Sequence, residues 1–133
     1  MEESEVYSVL GEDGFRRLIA AFYRQIPSDD ILGPLYPQAD FAGAEERLRD
    51  FLIFRFGGPQ HYTEKRGHPR LRMRHAPFPV DQAARDRWMK LMNHALEEAA
   101  TPADVKHILL AYFDSTATAM INRRVRRGPS TRR

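Results

Sequence analysis

His75 is the residue in this sequence best placed to hold a metal. It closes the run Gly67-His68-Pro69-Arg70-Leu71-Arg72-Met73-Arg74-His75-Ala76-Pro77-Phe78-Pro79. Pro69 suits a first helical turn, where its missing N–H would be unpaired anyway, and Pro77 and Pro79 stop a helix from continuing past Ala76. The run therefore reads as a short helix of about two turns, with His75 in its last turn and Leu71 on the same face. A neutral imidazole presented in this way is a sound metal ligand. The other reading is a helix-end histidine that complements the C-terminal dipole. His61, His68 and His75 recur every seven residues, but this is not a zinc spacing, and Pro69 interrupts any shared helix. His94 and His107 fall off the principal apolar stripes and read as surface or boundary residues.

The second chemical feature is a set of polar-tipped aromatics. Tyr23 and Trp88 lie on otherwise apolar stripes, and Tyr36 follows a Gly33-Pro34 break. A buried phenol or indole N–H needs a partner. Each either finds a backbone carbonyl in an ordinary core or faces a polar ligand in an apolar pocket. One axial histidine, several donors and large apolar helical faces are consistent with haem. Other chemistries are excluded. Gly57-Gly58 lacks the phosphate-loop pattern and a preceding strand, and there is no H-E-x-x-H motif. With no cysteine, disulfides, thiolate metal sites and a cysteine nucleophile are ruled out, which fits a reducing cytoplasm.

The elements that must position these groups are helices. Val6, Tyr7 and Leu10 precede Gly11 and read as a short helix ended by glycine. A stronger helix starts at Asp13 or Gly14 and carries Phe15, Leu18, Ile19, Phe22, Tyr23 and Ile26 at i, i+3, i+4 spacing until Pro27. Ser28-Asp29-Asp30 can cap a further short turn. The next helix spans about 40–56, with Ala44, Leu48, Phe51, Leu52 and Arg55 on one face, and Gly57-Gly58-Pro59 ends it. Residues 57–68 read as a loop. Asp81 caps a long helix with the stripe Ala84, Trp88, Leu91, Met92 and Ala95. Thr101-Pro102-Ala103-Asp104 reads as a capping box before a last helix that buries Val105, Ile108, Leu109, Tyr112, Phe113, Thr116 and Met120. No segment alternates with period two and no repeat is evident. The fold class is all-α, with about five substantial helices.

The length of 133 residues fits one domain with a real core. Hydrophobic residues at 42% and charged residues at 29% fit a soluble protein. No signal-peptide pattern or membrane-spanning run is present. The net charge is +3, yet Arg123, Arg124, Arg126, Arg127, Arg132 and Arg133 contribute six positive charges, so the rest of the chain stands at −3. The boundaries follow: a domain at 1–122 and a basic tail at 123–133, too poor in apolar residues to pack.

A resemblance then becomes specific. Phe22-Tyr23, Leu35-Tyr36-Pro37, Ala42-Gly43-Ala44-Glu45-Glu46-Arg47-Leu48, Gly57-Gly58-Pro59, Tyr62, the run from Arg66 through His75 to Phe78, and Trp88 resemble the truncated haemoglobins, most of all their second group in bacteria. The match covers about residues 4–122. It implies a truncated globin fold, a two-over-two helical sandwich around one haem b. It makes His75 the proximal iron ligand and puts Tyr23, Tyr36 and Trp88 on the distal side as donors to the gas. Ala44 takes the distal position where many globins have histidine. Phe22, Leu48, Phe51 and Leu52 are expected around the distal pocket, and Leu71 and Met92 against the haem. Arg47, Tyr62, Arg66, His68 and Arg74 are candidates for the propionates, or else a solvated basic surface. The sequence departs from the pattern in three places. Gly11 is followed by Glu12 where the family has a second glycine, Phe56 stands where this group usually has tryptophan, and the arginine tail is outside the family pattern.

The function implied is reversible binding of dioxygen at ferrous iron, with carbon monoxide and nitric oxide as further ligands. Storage or transport, oxygen sensing, and turnover of nitric oxide or peroxide remain distinct roles. An enzyme of this kind needs a separate reductase, because no flavin or nicotinamide site is visible. The alternative from another class is a nucleic-acid or membrane-surface module acting through the tail, which would not need the histidine, tyrosine and tryptophan set. Monomer and homodimer both stay open.

Overall fold

The stripe Phe15, Leu18, Ile19, Phe22 and Tyr23 follows helical spacing, and every member is buried on helix α1, Val6–Arg24. The structure, a computed structural model, describes residues 1–59 and 80–122. The expected short helix and the stronger one after it form a single element bent at Gly11, whose φ of 69° and ψ of 177° are non-helical. No atom lies within 4 Å of where a Cβ would stand there, so the backbone conformation itself is what calls for glycine.

After α1 the chain turns through Asp29, whose Oδ2 accepts the N–H groups of Ile31 (3.0 Å) and Leu32 (2.8 Å). Short 3-10 turns at Gly33–Leu35 and Gln38–Asp40 lead into α2, Phe41–Arg55. Phe51, Leu52 and Ile53 are all buried on α2, so this helix is covered on more than the one face its sequence suggested. Gly57 follows with a φ of 99°, and a Cβ there would come within 2.2 Å of the Ser4 carbonyl oxygen. Beside it the Tyr7 N–H donates to the Phe56 carbonyl at 3.0 Å.

Helix α3, Gln82–Glu98, starts where Asp81 predicts: its carboxylate accepts the Ala84 N–H at 2.8 Å. It ends in a left-handed residue, Ala100, with a φ of 54°. The Ala100 N–H bonds Glu97 O and the Thr101 N–H bonds Leu96 O, the paired pattern of a Schellman cap. This corrects the expected capping box. Thr101 closes α3 rather than opening the next helix. Pro102 is the N-cap of α4, Ala103–Ala119, and the Asp104 side chain accepts the Val105 N–H instead.

Helix α1 packs against α2 and α3, and α3 packs against α4. Four α-helices and no strand occur among the described residues, as an all-α chain requires. Arg24 and Glu98 pair at 2.8 Å where α1 and α3 end. Val80 and Asn122 exchange two bonds: the Val80 N–H donates to Asn122 Oδ1, and the Asn122 N–H to Val80 O, each at 2.8 Å. No helix of the described residues is long and apolar enough to cross a membrane.

Candidate functional site

Between the 32–37 turn and helices α2, α3 and α4 lies a cavity of ≈ 310 Å³. Tyr112 of α4 lines it, and three further hydrogen-bonding aromatics come from three other elements: Tyr23 from α1, Tyr36 from the turn and Trp88 from α3. The sequence singled out these three, and the fold brings them together. The rings of Tyr23 and Tyr36 meet edge to face with centroids 5.7 Å apart. Phe41 closes the group, 5.3 Å from Tyr23 and 6.3 Å from Tyr36.

The Tyr23 hydroxyl donates to the Ala44 carbonyl at 3.2 Å. Burial pushes its phenol well above the ordinary tyrosine value, helped by the neighbouring Tyr36 and Glu45. Burial also pushes the Tyr36 phenol up to about 12, while hydrogen bonding with Trp88 and Tyr23 restrains the rise. An indole N–H can only donate, so in the Trp88–Tyr36 pair Trp88 is the donor and the Tyr36 oxygen the acceptor. Both phenols keep their protons throughout the neutral range.

The adjoining wall is apolar. Ala44, Leu48, Phe51 and Leu52 of α2 line the cavity, and none of their side chains can hydrogen-bond. Phe22 and Met92 stand apart from that wall. Both are fully buried, but neither is among the described residues that line the cavity. Phe22 stands behind the wall and packs on Trp88 at 5.0 Å, supporting it from the α1 side. Phe113 supports the same indole from α4 at 5.3 Å. Phe56 is also fully buried, packed edge-on against Tyr112 at 5.2 Å.

Among the described residues, two arginines reach the cavity. Arg47 lines it and pairs with Asp40, whose carboxyl this bond holds below its usual value. Arg85, which the sequence did not single out, lines it too and bonds Asp114 and, at 3.2 Å, the Thr118 hydroxyl. Tyr112, Thr116 and Met120 were read as core of α4; they are only half-buried because they face the cavity. A threonine hydroxyl in the middle of an apolar stripe was the signal that this face meets something other than packed core.

His94 and His107 are exposed, as expected for surface residues. No histidine of the described residues lines the cavity, and these residues hold no cluster of metal-ligating groups. The chain's other histidines, His61, His68 and His75, belong to the segment 60–79. The calls on Tyr62, Arg66, His68, Leu71, Arg74 and His75 all lie outside the described residues, as does the tail 123–133. A largely apolar cavity lined by phenol and indole donors and by two guanidinium groups suits a flat apolar group with acidic edges, so the residues present fit haem.

Comparison with known proteins agrees with this geometry. The family model for bacterial-like globins matches residues 5–122. A group 2 truncated haemoglobin of Bacillus subtilis is 33% identical over 116 residues, 87% of each chain. The haemoglobin of Chloroflexus aurantiacus superposes with a TM-score of 0.85 at 45% identity, over 89% of this chain and 98% of the other. A thermostable haemoglobin from Thermobifida fusca gives 0.83 at 45% identity, over 88% and 96%. The chain therefore belongs to the bacterial-like globins, and among them to the group 2 truncated haemoglobins with their two-over-two helical fold.

Proposed function

We propose that this chain binds dioxygen reversibly at a ferrous haem b, with Tyr23, Tyr36 and Trp88 as the donors that hold the gas. Membership of the truncated haemoglobins implies haem and diatomic ligands. The observation that carries the finer reading is that Tyr23, Tyr36 and Trp88, from three elements, line one largely apolar cavity with Tyr36 in contact with both of the others. When bound, ferrous haem supplies electron density to dioxygen, which leaves partial negative charge on the gas. Phenol and indole hydrogens that turn from the Ala44 carbonyl and the Tyr36 oxygen to the gas would stabilise such charge more in a cavity of low polarity than in water. Ala44 contributes no donor, so the aromatic trio does the work that a distal histidine does elsewhere. Leu48, Phe51 and Leu52 exclude water from that side. In this reading His75 would hold the haem iron and Leu71 would pack against the haem. Arg47 pairs with a propionate, with Tyr62, Arg66, His68 and Arg74 as further partners.

Within oxygen binding, retention rather than rapid delivery is favoured, because several donors slow escape. The solved relative from Bacillus subtilis is described as oxygen-avid. Turnover of nitric oxide or peroxide is the second reading on the same ground, and it needs a separate reductase.

Absorption spectra of the purified protein, oxidised, reduced and under carbon monoxide, test the proposal. A ferrous spectrum that changes on adding dioxygen and returns on its removal is expected. His75→Gly should lose the normal spectrum and regain it with added imidazole. An unchanged iron–histidine stretching band in that variant would overturn the assignment of His75.

A further inference from the structure

Tyr36 and Trp88 come from elements far apart in the chain, and something has to hold one against the other. The residue preceding Trp88 on α3 is Arg87. Its Nη1 donates to Asp29 Oδ1 at 2.7 Å and to Asp30 Oδ1 at 2.8 Å. The two carboxylates are not equivalent. The Asp29 side chain is 8% exposed and that of Asp30 is 84% exposed. The second oxygen of Asp29 accepts the Ile31 and Leu32 N–H groups. From Asp29 the backbone continues the chain of bonds: its carbonyl accepts the Gly33 N–H at 3.0 Å, and the Gly33 carbonyl accepts the Tyr36 N–H at 3.3 Å. On the other side of Trp88, Gln25 Nε2 donates to the Leu91 carbonyl at 2.8 Å, so α3 is tied to the end of α1 as well.

We propose that Asp29 and Arg87 form a positioning clamp that sets the geometry between Tyr36 and Trp88. One oxygen of Asp29 folds the turn that carries Tyr36, and the other is gripped by the residue next to Trp88. A charge-assisted bond to a largely buried carboxylate is among the stronger polar contacts in a protein. The outer contact to Asp30 is solvated and adds little. Neither Asp29 nor Arg87 is among the residues that line the cavity, so both act through the donors rather than on the gas. The clamp rests on the distal reading proposed above.

The test uses the haem-loaded protein. Asp29→Asn, Arg87→Gln, Arg87→Lys and Asp30→Asn are compared with Tyr36→Phe and Trp88→Phe. Two readouts are taken: the C–O stretching band of the carbon monoxide form, which senses donors near the gas, and amide hydrogen exchange across residues 29–36. Asp29→Asn and Arg87→Gln are expected to move or broaden the C–O band toward the positions seen in Tyr36→Phe and Trp88→Phe. Exchange at Gly33 and Tyr36 should quicken about tenfold or more. Arg87→Lys should fall between wild type and Arg87→Gln, and Asp30→Asn should match wild type. A wild-type C–O band in Asp29→Asn and Arg87→Gln, with shifted bands in Tyr36→Phe and Trp88→Phe, would overturn the clamp and leave the distal reading standing. Unshifted bands in Tyr36→Phe and Trp88→Phe would overturn the distal reading itself. Should Asp29→Asn not yield folded protein, the two Arg87 variants carry the same comparison.

Discussion

Replacing Trp88 by Phe removes one N–H donor from the cavity and keeps a ring between Phe22 and Phe113. A hydrogen bond to a charged acceptor contributes roughly 1.5–3 kcal/mol, and a neutral one about 1 kcal/mol. Trp88 already bonds the Tyr36 oxygen, so turning to the gas forfeits the neutral bond. The net gain lost in Trp88→Phe is then about 0.5–2 kcal/mol. At about 1.36 kcal/mol per tenfold, dioxygen should leave the variant roughly 2- to 30-fold faster than wild type. Tyr23→Phe should fall in the same range, because the Tyr23 hydroxyl must likewise give up the Ala44 carbonyl. Carbon monoxide carries less negative charge when bound, so its dissociation should change less. Stopped-flow displacement of each gas from wild type, Trp88→Phe and Tyr23→Phe measures all of this. Equal dioxygen off-rates in the three proteins would refute the reasoning and return both residues to core packing. An acceleration of the same size for carbon monoxide would show that Trp88 acts by bulk instead of by its N–H.

Ala100→Gly should stabilise the fold by about 0.5–1 kcal/mol in thermal or urea denaturation, since it relieves a left-handed alanine at the cost of some unfolded-state entropy. Gly11→Ala and Gly57→Ala both place alanine at positive φ, but only Gly57 has a backbone oxygen in the way. Gly11→Ala should cost about 1–3 kcal/mol, and Gly57→Ala more by the same denaturation assay. The Asp29 carboxyl is held below its usual value by its bonds from Leu32, Arg87 and Ile31, against the opposing effect of burial. Its stabilisation is therefore full above the unfolded carboxylate pKa and is lost as pH falls through the lower folded one. Acid titrations of stability for wild type and Asp29→Asn should diverge at neutral pH and converge in acid. A chain ending at Asn122 should keep haem and oxygen affinity, and fluorescence anisotropy with nucleic acid should show whether residues 123–133 carry a salt-dependent interaction.

The sequence was most informative where periodicity and caps decide structure. The α1 stripe, the Asp81 cap and the break at Gly11 are local matters, and the chain settles them within a few residues. The donors were legible for another reason: Tyr23 and Trp88 are polar tips on apolar stripes, which asks for a partner wherever they lie. What the sequence left open depends on where one helix end meets another segment. Thr101 had the spacing of a capping box, but closing α3 claimed its N–H first. Phe22 and Met92 share stripes with true wall residues, and stripe membership does not separate the first layer around a cavity from the layer behind it. Nothing in the sequence separates Arg85 and Arg87 from the other charged residues of α3. Their roles come from Asp114 on α4 and Asp29 before α2, partners distant in the chain.

The reciprocal bonds between Val80 and Asn122 bear on how this chain can be rebuilt. They moor one stem of the stretch 60–79. The other stem is moored by Gly57, pressed on Ser4, and by Gly58, whose N–H donates to the Ile53 carbonyl at 2.8 Å. Asn122 is distant in sequence from Val80, yet a change such as Asn122→Ala would take the acceptor from the Val80 N–H just ahead of α3. The end of the domain is thus tied to the start of α3, and any redesign of that stem has to preserve Asn122.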